Sequence, residues 1–400
     1  MNALSDDEVH RLLDAVLGPR DASRRATTLG AGGYDLEAGR RYLAAVAGTG
    51  LAVPTWPVEF GGLGADAAEA RRLEALHHRY AMPDMYPFRV GLKFVGPTLL
   101  AHGTPEQQQR WLAAIASGKE IWCQMFSEPE AGSDLANVAT IARRGPAGDW
   151  ILTGQKVWTS RAAYADWGIC LARTDPDVPK HRGMTMFAVD MSAPGVDVRP
   201  LRQMNGDASF SEVFLTDVPV PDENRIGEVG QGWKVALTLL AHERSNADRS
   251  APPARDAPLL PSWLTELADS GALADPVLRE EAMELFCYDR AIHHLQQRAA
   301  ELRAAGKPGP EGSGLKVHGA RSFKRRVDLL ARARGAEALR SDWPGCVDLL
   351  TAPSMSIRGG TDEIQLNVIG ERILGLPAEP RVDRDVPWTV ARRGAITPSR

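Results

Sequence analysis

Cysteine is scarce: Cys123, Cys170, Cys287 and Cys346 lie far apart in 400 residues, with no CxxC spacing. That excludes a disulfide frame and a thiolate metal site, and they read as free thiols in a reducing cytoplasm. No apolar run approaches the roughly 20 residues a membrane helix needs. The first residues carry Asp6, Asp7 and Glu8 with no cationic-then-apolar run, so a secretory signal is not expected. Charge of one sign is also missing. A net charge of −4 gives no reason to expect nucleic acid or an anionic membrane as partner. The pairs His77-His78 and His293-His294 are sequence neighbours, about 100° apart on a helix, and so share no metal-binding face. Gly227, Gly230 and Gly232 are spaced GxxGxG, not GxGxxG, and no βαβ strand precedes them. They predict a flexible lead into a helix and not a dinucleotide fingerprint.

What is present is a chain with 44% hydrophobic residues, long enough for two or three cores. Residues 1–120 read as helical. Val9, Leu12, Leu13 and Val16 form one stripe; Leu36, Tyr42, Leu43 and Val46 form another. Thr104-Pro105-Glu106-Gln107 is a capping box opening a helix through Trp111, Leu112 and Ile115. Residues 121–228 change character. Six short segments (137–144, 149–159, 167–174, 184–191, 196–200, 212–218) are rich in Val, Ile, Thr and aromatics and predict a central β barrel or sandwich. Residues 229–377 are helical again. A helix from Trp233, long helices beyond Asp275-Pro276 and around 315–339, and one through Ile364 to Ile373 predict a four-helix bundle. Residues 378–400 predict an extended tail. The fold class expected is α+β multidomain.

Two stretches carry chemistry. Trp122-Cys-Gln-Met-Phe-Ser-Glu-Pro-Glu-Ala-Gly-Ser-Asp-Leu135 ends an apolar run in a Pro-Gly turn. Pro129 pushes Glu128 into an extended conformation, and Gly132 is expected to supply a turn that a Cβ would resist. The turn would hold the Ser127 and Ser133 hydroxyls beside free backbone N–H groups, a means of meeting a polar or anionic ligand. In Trp150-Ile-Leu-Thr-Gly-Gln-Lys-Val-Trp-Thr-Ser160, Trp158 and Ser160 lie two apart and so on one face of a strand. Taken alone, these read first as an ordinary loop and a core aromatic. On the helix from Trp233, Glu243 follows Leu239 and Leu240 by four and three residues, so it falls on their apolar face. A carboxylate there is desolvated, as a base for a weakly acidic C–H requires; a solvated Glu243-Arg244 pair is the plainer alternative.

These stretches, with Asp217-Val-Pro-Val-Pro-Asp-Glu-Asn224 and Arg358-Gly-Gly-Thr-Asp-Glu-Ile-Gln365, resemble the acyl-CoA dehydrogenase family, in its order and over nearly the whole chain. The bacterial, actinomycete-type members look most similar. The resemblance implies a flavoprotein of lipid metabolism that binds FAD and a coenzyme A thioester. It implies that Trp158 packs on the flavin, Ser160 lies near N5, and Phe126, Ser127 and Ser133 contact other polar edges. Thr361 and Glu363 would also meet the cofactor, and Ser133 and Arg244 the substrate. It further implies a dimer or tetramer of like or unlike chains, with an electron-transfer flavoprotein as the usual acceptor.

Two departures matter. Most members carry the catalytic glutamate directly before "GT"; here that position is Gly359, and the minority position, before an arginine, matches Glu243-Arg244. The family's segments for the adenosine half of FAD are replaced by Pro308-Gly-Pro-Glu-Gly-Ser313 and Arg332-Ala-Arg-Gly-Ala-Glu337. Three readings follow: an acyl-CoA dehydrogenase with Glu243 as base, a half-site subunit completing a partner's flavin site, or a flavin oxidase or monooxygenase on the same scaffold.

Overall fold

The structure, a computed structural model, describes residues 4–19, 35–77, 79–247, 260–305, 309, 311–381 and 383–392; at 244–247 and 303–304 it describes the backbone only. The N-terminal helices are α1 (Asp6–Asp14), α2 (Leu36–Val46), α3 (Ala67–His77), α4 (Gly96–His102) and α5 (Pro105–Ala116). The expected capping box is formed: the Thr104 hydroxyl accepts from Gln107 N, and the Gln107 side chain accepts from Thr104 N. It starts a helix whose Trp111, Leu112 and Ile115 are buried. Ahead of α4 the chain makes a 3-10 turn (Tyr86–Phe88) and a π-helical turn (Gly91–Val95).

The central part is one eight-stranded sheet: β1 (Trp122–Met125), β2 (Ile141–Arg144), β3 (Trp150–Ser160), β4 (Trp167–Arg173), β5 (Met184–Asp190), β6 (Val196–Leu201), β7 (Phe210–Val220) and β8 (Arg225–Ile226). The order is β6-β7-β3-β2-β4-β5-β8, with β1 paired in parallel to β4. Alternation along β4 explains its apolar run from Trp167 to Ala172. Ile169 and Leu171 join the core shared with the helices, while Cys170 and Ala172 join a second core with Leu152, Phe187 and Val213. Both faces are buried, so hydrophobic runs replace alternation. Two strands beyond the six expected are present. β1 was legible only as an apolar lead-in, and β8 is two residues long.

The C-terminal helices are α6 (Gly232–Ala247), α7 (Ser262–Asp269), α8 (Pro276–Ala304), α9 (Glu311–Arg334), α10 (Cys346–Thr351), α11 (Asp362–Val368) and α12 (Trp388–Arg392). α9 packs on α6, α8 and α11, which makes the expected bundle. Gly232 fixes where α6 meets the sheet, because a Cβ there would lie 2.6 Å from Thr185 N. The Thr185 hydroxyl accepts from Gly230 N, so the glycine run is a docking joint between β5 and α6.

Two expectations are corrected. Gly132 has no positive φ, and a Cβ on it would meet nothing. The turn is made by Pro129 and Glu130 instead, closed by reciprocal backbone bonds between Glu128 and Ala131 at 3.1 Å. Nor is the described part of 378–400 a free extended tail. Trp388 Nε1 donates to Asn137 Oδ1, its ring lies under the Arg173 guanidinium at 4.4 Å, and Asp383 pairs with Lys180. Among the described residues no helix is long and apolar enough to cross a membrane, and no group of His, Cys, Asp and Glu could hold a metal ion.

Candidate active site

The two chemical stretches are tied together by a buried ion pair. Lys156, fully buried in β3, donates to Glu128 Oε1 at 2.8 Å and to the carbonyls of Phe126 and Leu171. Glu128 also accepts from Ala139 N and Thr140 N. Burial pushes the Glu128 carboxyl up, but Lys156 and these donors more than offset it, and the net shift is downward. Val157 N donates to Ser127 O, so Ser127 lies beside the strand that carries Trp158. Phe126 is a core side chain, leaving its backbone as the part available to a ligand. Ser133 is exposed, next to Asp134, which pairs with Lys180.

β3 and β7 lose register between Lys156 and Thr159. At this bulge Trp158 takes φ 58°, and Arg161, at the strand's end, takes φ 70°. With Asp217, these are the only non-glycine residues with positive φ among those described. Such conformations cost of order 1–3 kcal/mol each and cluster at functional sites. The outcome here is an indole 59% exposed, edge-on to Phe210, with half-buried Ser160 beyond it.

Remote charged and aromatic groups influence one another beyond the end of this run. The Arg161 guanidinium lies 3.2 Å from the Tyr86 ring centre. Arg89, one turn after Tyr86, has its charged form disfavoured first by burial and then by Arg161, and favoured by Tyr86 and Glu243. Arg358 is likewise shifted down by burial, with Tyr86 opposing. Glu243, half-buried near the C-terminal end of α6, is thus within electrostatic reach of Arg89, as Arg358 is of Tyr86. The side chain of Arg244 lies outside the described residues. Gly359 and Gly360 both have positive φ, and the Thr361 hydroxyl caps α11 by accepting from Ile364 N. Glu363 is exposed. Sequence reasoning missed Tyr86, Arg89 and Arg161. Their only local signal is a cation set between Phe88 and Val90, and another directly after Ser160.

Three family descriptions cover this architecture end to end: "Acyl-CoA dehydrogenase, N-terminal domain" over residues 6–119, "middle domain" over 123–218 and "C-terminal domain" over 230–374. The chain belongs to the acyl-CoA dehydrogenase family. Acyl-CoA dehydrogenase FadE34 of Mycobacterium tuberculosis is 42% identical over 340 residues, 83% of this chain but 46% of that longer protein. The chain thus spans about half the length of FadE34. Acyl-CoA dehydrogenase IpdE1 of Mycolicibacterium smegmatis is 35% identical, over 84% of this chain and 87% of its own length. Among solved structures, the Tcur3481-Tcur3483 steroid ACAD matches with TM-score 0.74 and 26% identity over 94% of each chain. The ChsE4-ChsE5 complex from Mycobacterium tuberculosis matches with TM-score 0.68 and 26% identity, over 95% of this chain and 100% of that one.

FAD is the cofactor that membership in the acyl-CoA dehydrogenase family implies, and the residues present fit it. A strained backbone holds an indole out of the core, where most of its apolar area stays exposed beyond its edge contact with Phe210, and Ser127 and Ser160 lie near it. A flat aromatic ligand would recover that area.

Proposed function

We propose that this chain is an FAD-dependent acyl-CoA dehydrogenase in which Glu243 takes the α-proton of an acyl thioester. The observation that carries the reading is the Trp158 indole, held exposed by a left-handed backbone near Ser127 and Ser160, with half-buried Glu243 within electrostatic reach of Arg89. Trp158 packs the cofactor's ring, and Ser127 and Ser160 orient its polar edges. Bound FAD supplies the hydride acceptor. Glu243 removes the proton as the β-hydrogen leaves, so no free carbanion has to form. Arg244 orients the base or the thioester. Ser133, Thr361 and Glu363 add peripheral contacts to cofactor or substrate. An electron-transfer flavoprotein is the acceptor that the family suggests.

For the substrate, likeness to a steroid acyl-CoA dehydrogenase favours a bulky, steroid-type acyl group. For assembly, two observations favour two different chains sharing the FAD site. In the segment where the family has its adenosine-binding residues, Arg332 is already paired with Glu281 and Asp328, and Arg334 with Glu266 and Glu337. The C-terminal part also exposes Leu339, Ile357, Leu374 and Leu376, apolar area that a partner would cover.

The test is an absorbance spectrum of the purified protein followed by anaerobic addition of a panel of acyl-CoAs. A flavin spectrum bleached by at least one thioester is expected. A protein that binds FAD yet is bleached by none would overturn the dehydrogenase reading. A colourless protein that gains flavin only with a second chain would move it to the half-site subunit. Trp158→Ala should weaken FAD retention by about tenfold with little effect on folding, since the indole is exposed. The flavin-to-protein absorbance ratio after dialysis measures it.

A further inference from the structure

Ser133 stands on a turn that does little to hold itself. Its inner limb is fixed, because Glu128 and Ala131 exchange backbone bonds and Lys156 anchors Glu128. Past Ala131 the bracing stops. Gly132, Ser133 and Asp134 are exposed, and among the described residues neither Gly132 nor Ser133 makes a hydrogen bond. A Cβ on Gly132 would meet nothing, so no neighbour confines the backbone there either.

The C-terminal segment supplies what the turn lacks. Residues 383–392 run back along the connection from β4 to β5, where Trp388 N donates to Val178 O and Thr389 N to Pro176 O. From there side chains reach across to the turn. Trp388 Nε1 donates to Asn137 Oδ1 at 2.9 Å. Asp383 holds Lys180 Nζ at 2.6 Å, and the same ammonium donates to both oxygens of Asp134, at 2.9 and 3.0 Å. Arg392 pairs with Glu130 at 3.2 Å, an exposed contact that adds little. The Trp388 ring also packs on the Arg173 guanidinium, which donates to the carbonyls of Ala136 and Val138 at the far limb of the turn. These grips on residues 130, 134 and 137 bracket Gly132 and Ser133 yet leave both open. A segment that served as a plug would cover them.

Resting on the proposed contact between Ser133 and the cofactor or thioester, we infer that residues 383–392 are a strap that positions the Gly132-Ser133 turn for a diphosphate ligand, with Trp388 as the positioning residue. FAD and coenzyme A both carry a diphosphate, which a serine hydroxyl and free backbone N–H groups suit. A ligand that met an unbraced turn would also have to order it, and that loss of freedom weakens binding. The strap orders the turn beforehand. Linkage makes the effect mutual: the ligand that the strap favours must itself favour the closed strap.

The test is hydrogen exchange at the amides of Trp388 and Thr389, whose bonds to Val178 O and Pro176 O exist only while the strap is closed. Flavin-loaded protein is compared with flavin-stripped protein, and flavin-loaded protein with and without free coenzyme A. The Val9 amide, bonded to Ser5 O in α1, is the control. One of the two ligands should slow exchange at both strap amides by about fivefold to fiftyfold and leave Val9 unchanged. Slowing by FAD assigns the turn to the cofactor; slowing by coenzyme A assigns it to the thioester. The same ligand should bind Trp388→Ala more weakly by a comparable factor. Trp388→Phe, which keeps a ring on Arg173 but loses the N–H, should lose less. If both ligands bind and neither slows the strap, or Val9 slows as much, the strap is only a structural closure; that overturns the inference and leaves the dehydrogenase reading intact. Unchanged affinity in Trp388→Ala would overturn it too. A protein that binds neither FAD nor coenzyme A would sink the inference and the reading beneath it together. If Trp388→Ala does not fold, exchange in the wild type still decides.

Discussion

Glu243→Gln is expected to slow anaerobic flavin reduction by an acyl-CoA by about a hundredfold to ten-thousandfold, the usual worth of a positioned general base. Glutamine keeps the shape and hydrogen-bonding reach of the side chain but cannot accept the proton. The size of the loss depends on there being no second base at hand. Gly359, where most of the family carries a glutamate, has φ 67° and open space where a Cβ would be. Room for a side chain exists; the chemistry does not. Stopped-flow reduction of wild type and variant at matched saturation measures the effect. FAD content and calorimetric acyl-CoA affinity should stay close to wild type, because glutamine preserves the local packing. An unchanged reduction rate would remove Glu243 as the base, whatever the variant's stability.

Lys156→Met is expected to lower the free energy of unfolding by about 3–5 kcal/mol, the cost of breaking a buried pair from one side. Methionine fills much of the lysine's volume, so packing is not the main loss. Glu128, 7% exposed, would keep its charge with no cation beside it, and the carbonyls of Phe126 and Leu171 would lose their donor. Removing both partners, as Glu128→Gln with Lys156→Met, should recover part of the loss. Denaturant midpoints of the four proteins complete the cycle. The pH dependence has a definite sign. The Glu128 carboxyl is held below its ordinary value in the folded state, so its contribution is present above the unfolded carboxylate pKa of about 4.3. It is lost as pH falls through the lower folded value. Wild type should therefore approach the stability of the Glu128→Gln variant in acid, and the two should diverge as pH rises. A wild type that is indifferent to acid relative to that variant would contradict the assignment.

The order of parts was legible in the sequence because it is written locally. Capping residues, helical stripes and alternating strands each show within a dozen residues, and Thr104, Val9, Leu13 and Trp111 do in the structure what their spacing suggests. Lys156 was legible only as a motif letter. Nothing in the composition of β3 says that its cation is buried, because the carboxylate that makes burial tolerable lies 28 residues earlier. Trp158 and Arg161 hide for a different reason. Left-handed backbone at a tryptophan and an arginine contradicts their local preference; at Trp158 it accompanies the bulge against β7, and at Arg161 it turns the chain out of the strand's end. The groups that influence one another's charge around Arg89 are residues 86, 161 and 243, a set that no window along the chain can bring together. Tyr86 and Arg89 lie on short turns whose apolar neighbours dominate any periodicity.

The return of Trp388 to Asn137 sets an order of events in synthesis. The two residues are 251 positions apart, so the contact closes a loop containing the rest of the sheet and the helical bundle. Arg173 can reach the carbonyls of Ala136 and Val138 as soon as β4 has left the ribosome, but the indole that covers its guanidinium is made more than two hundred residues later. Until then the loop that carries Glu128 and Asp134 has its anchors at Lys156 and Lys180 and lacks the one at Asn137. The central sheet is thus among the first parts to be translated and among the last to be finished. A chain stalled or cut before residue 388 would leave the Arg173 guanidinium uncovered during the interval when an incomplete domain is most prone to aggregate.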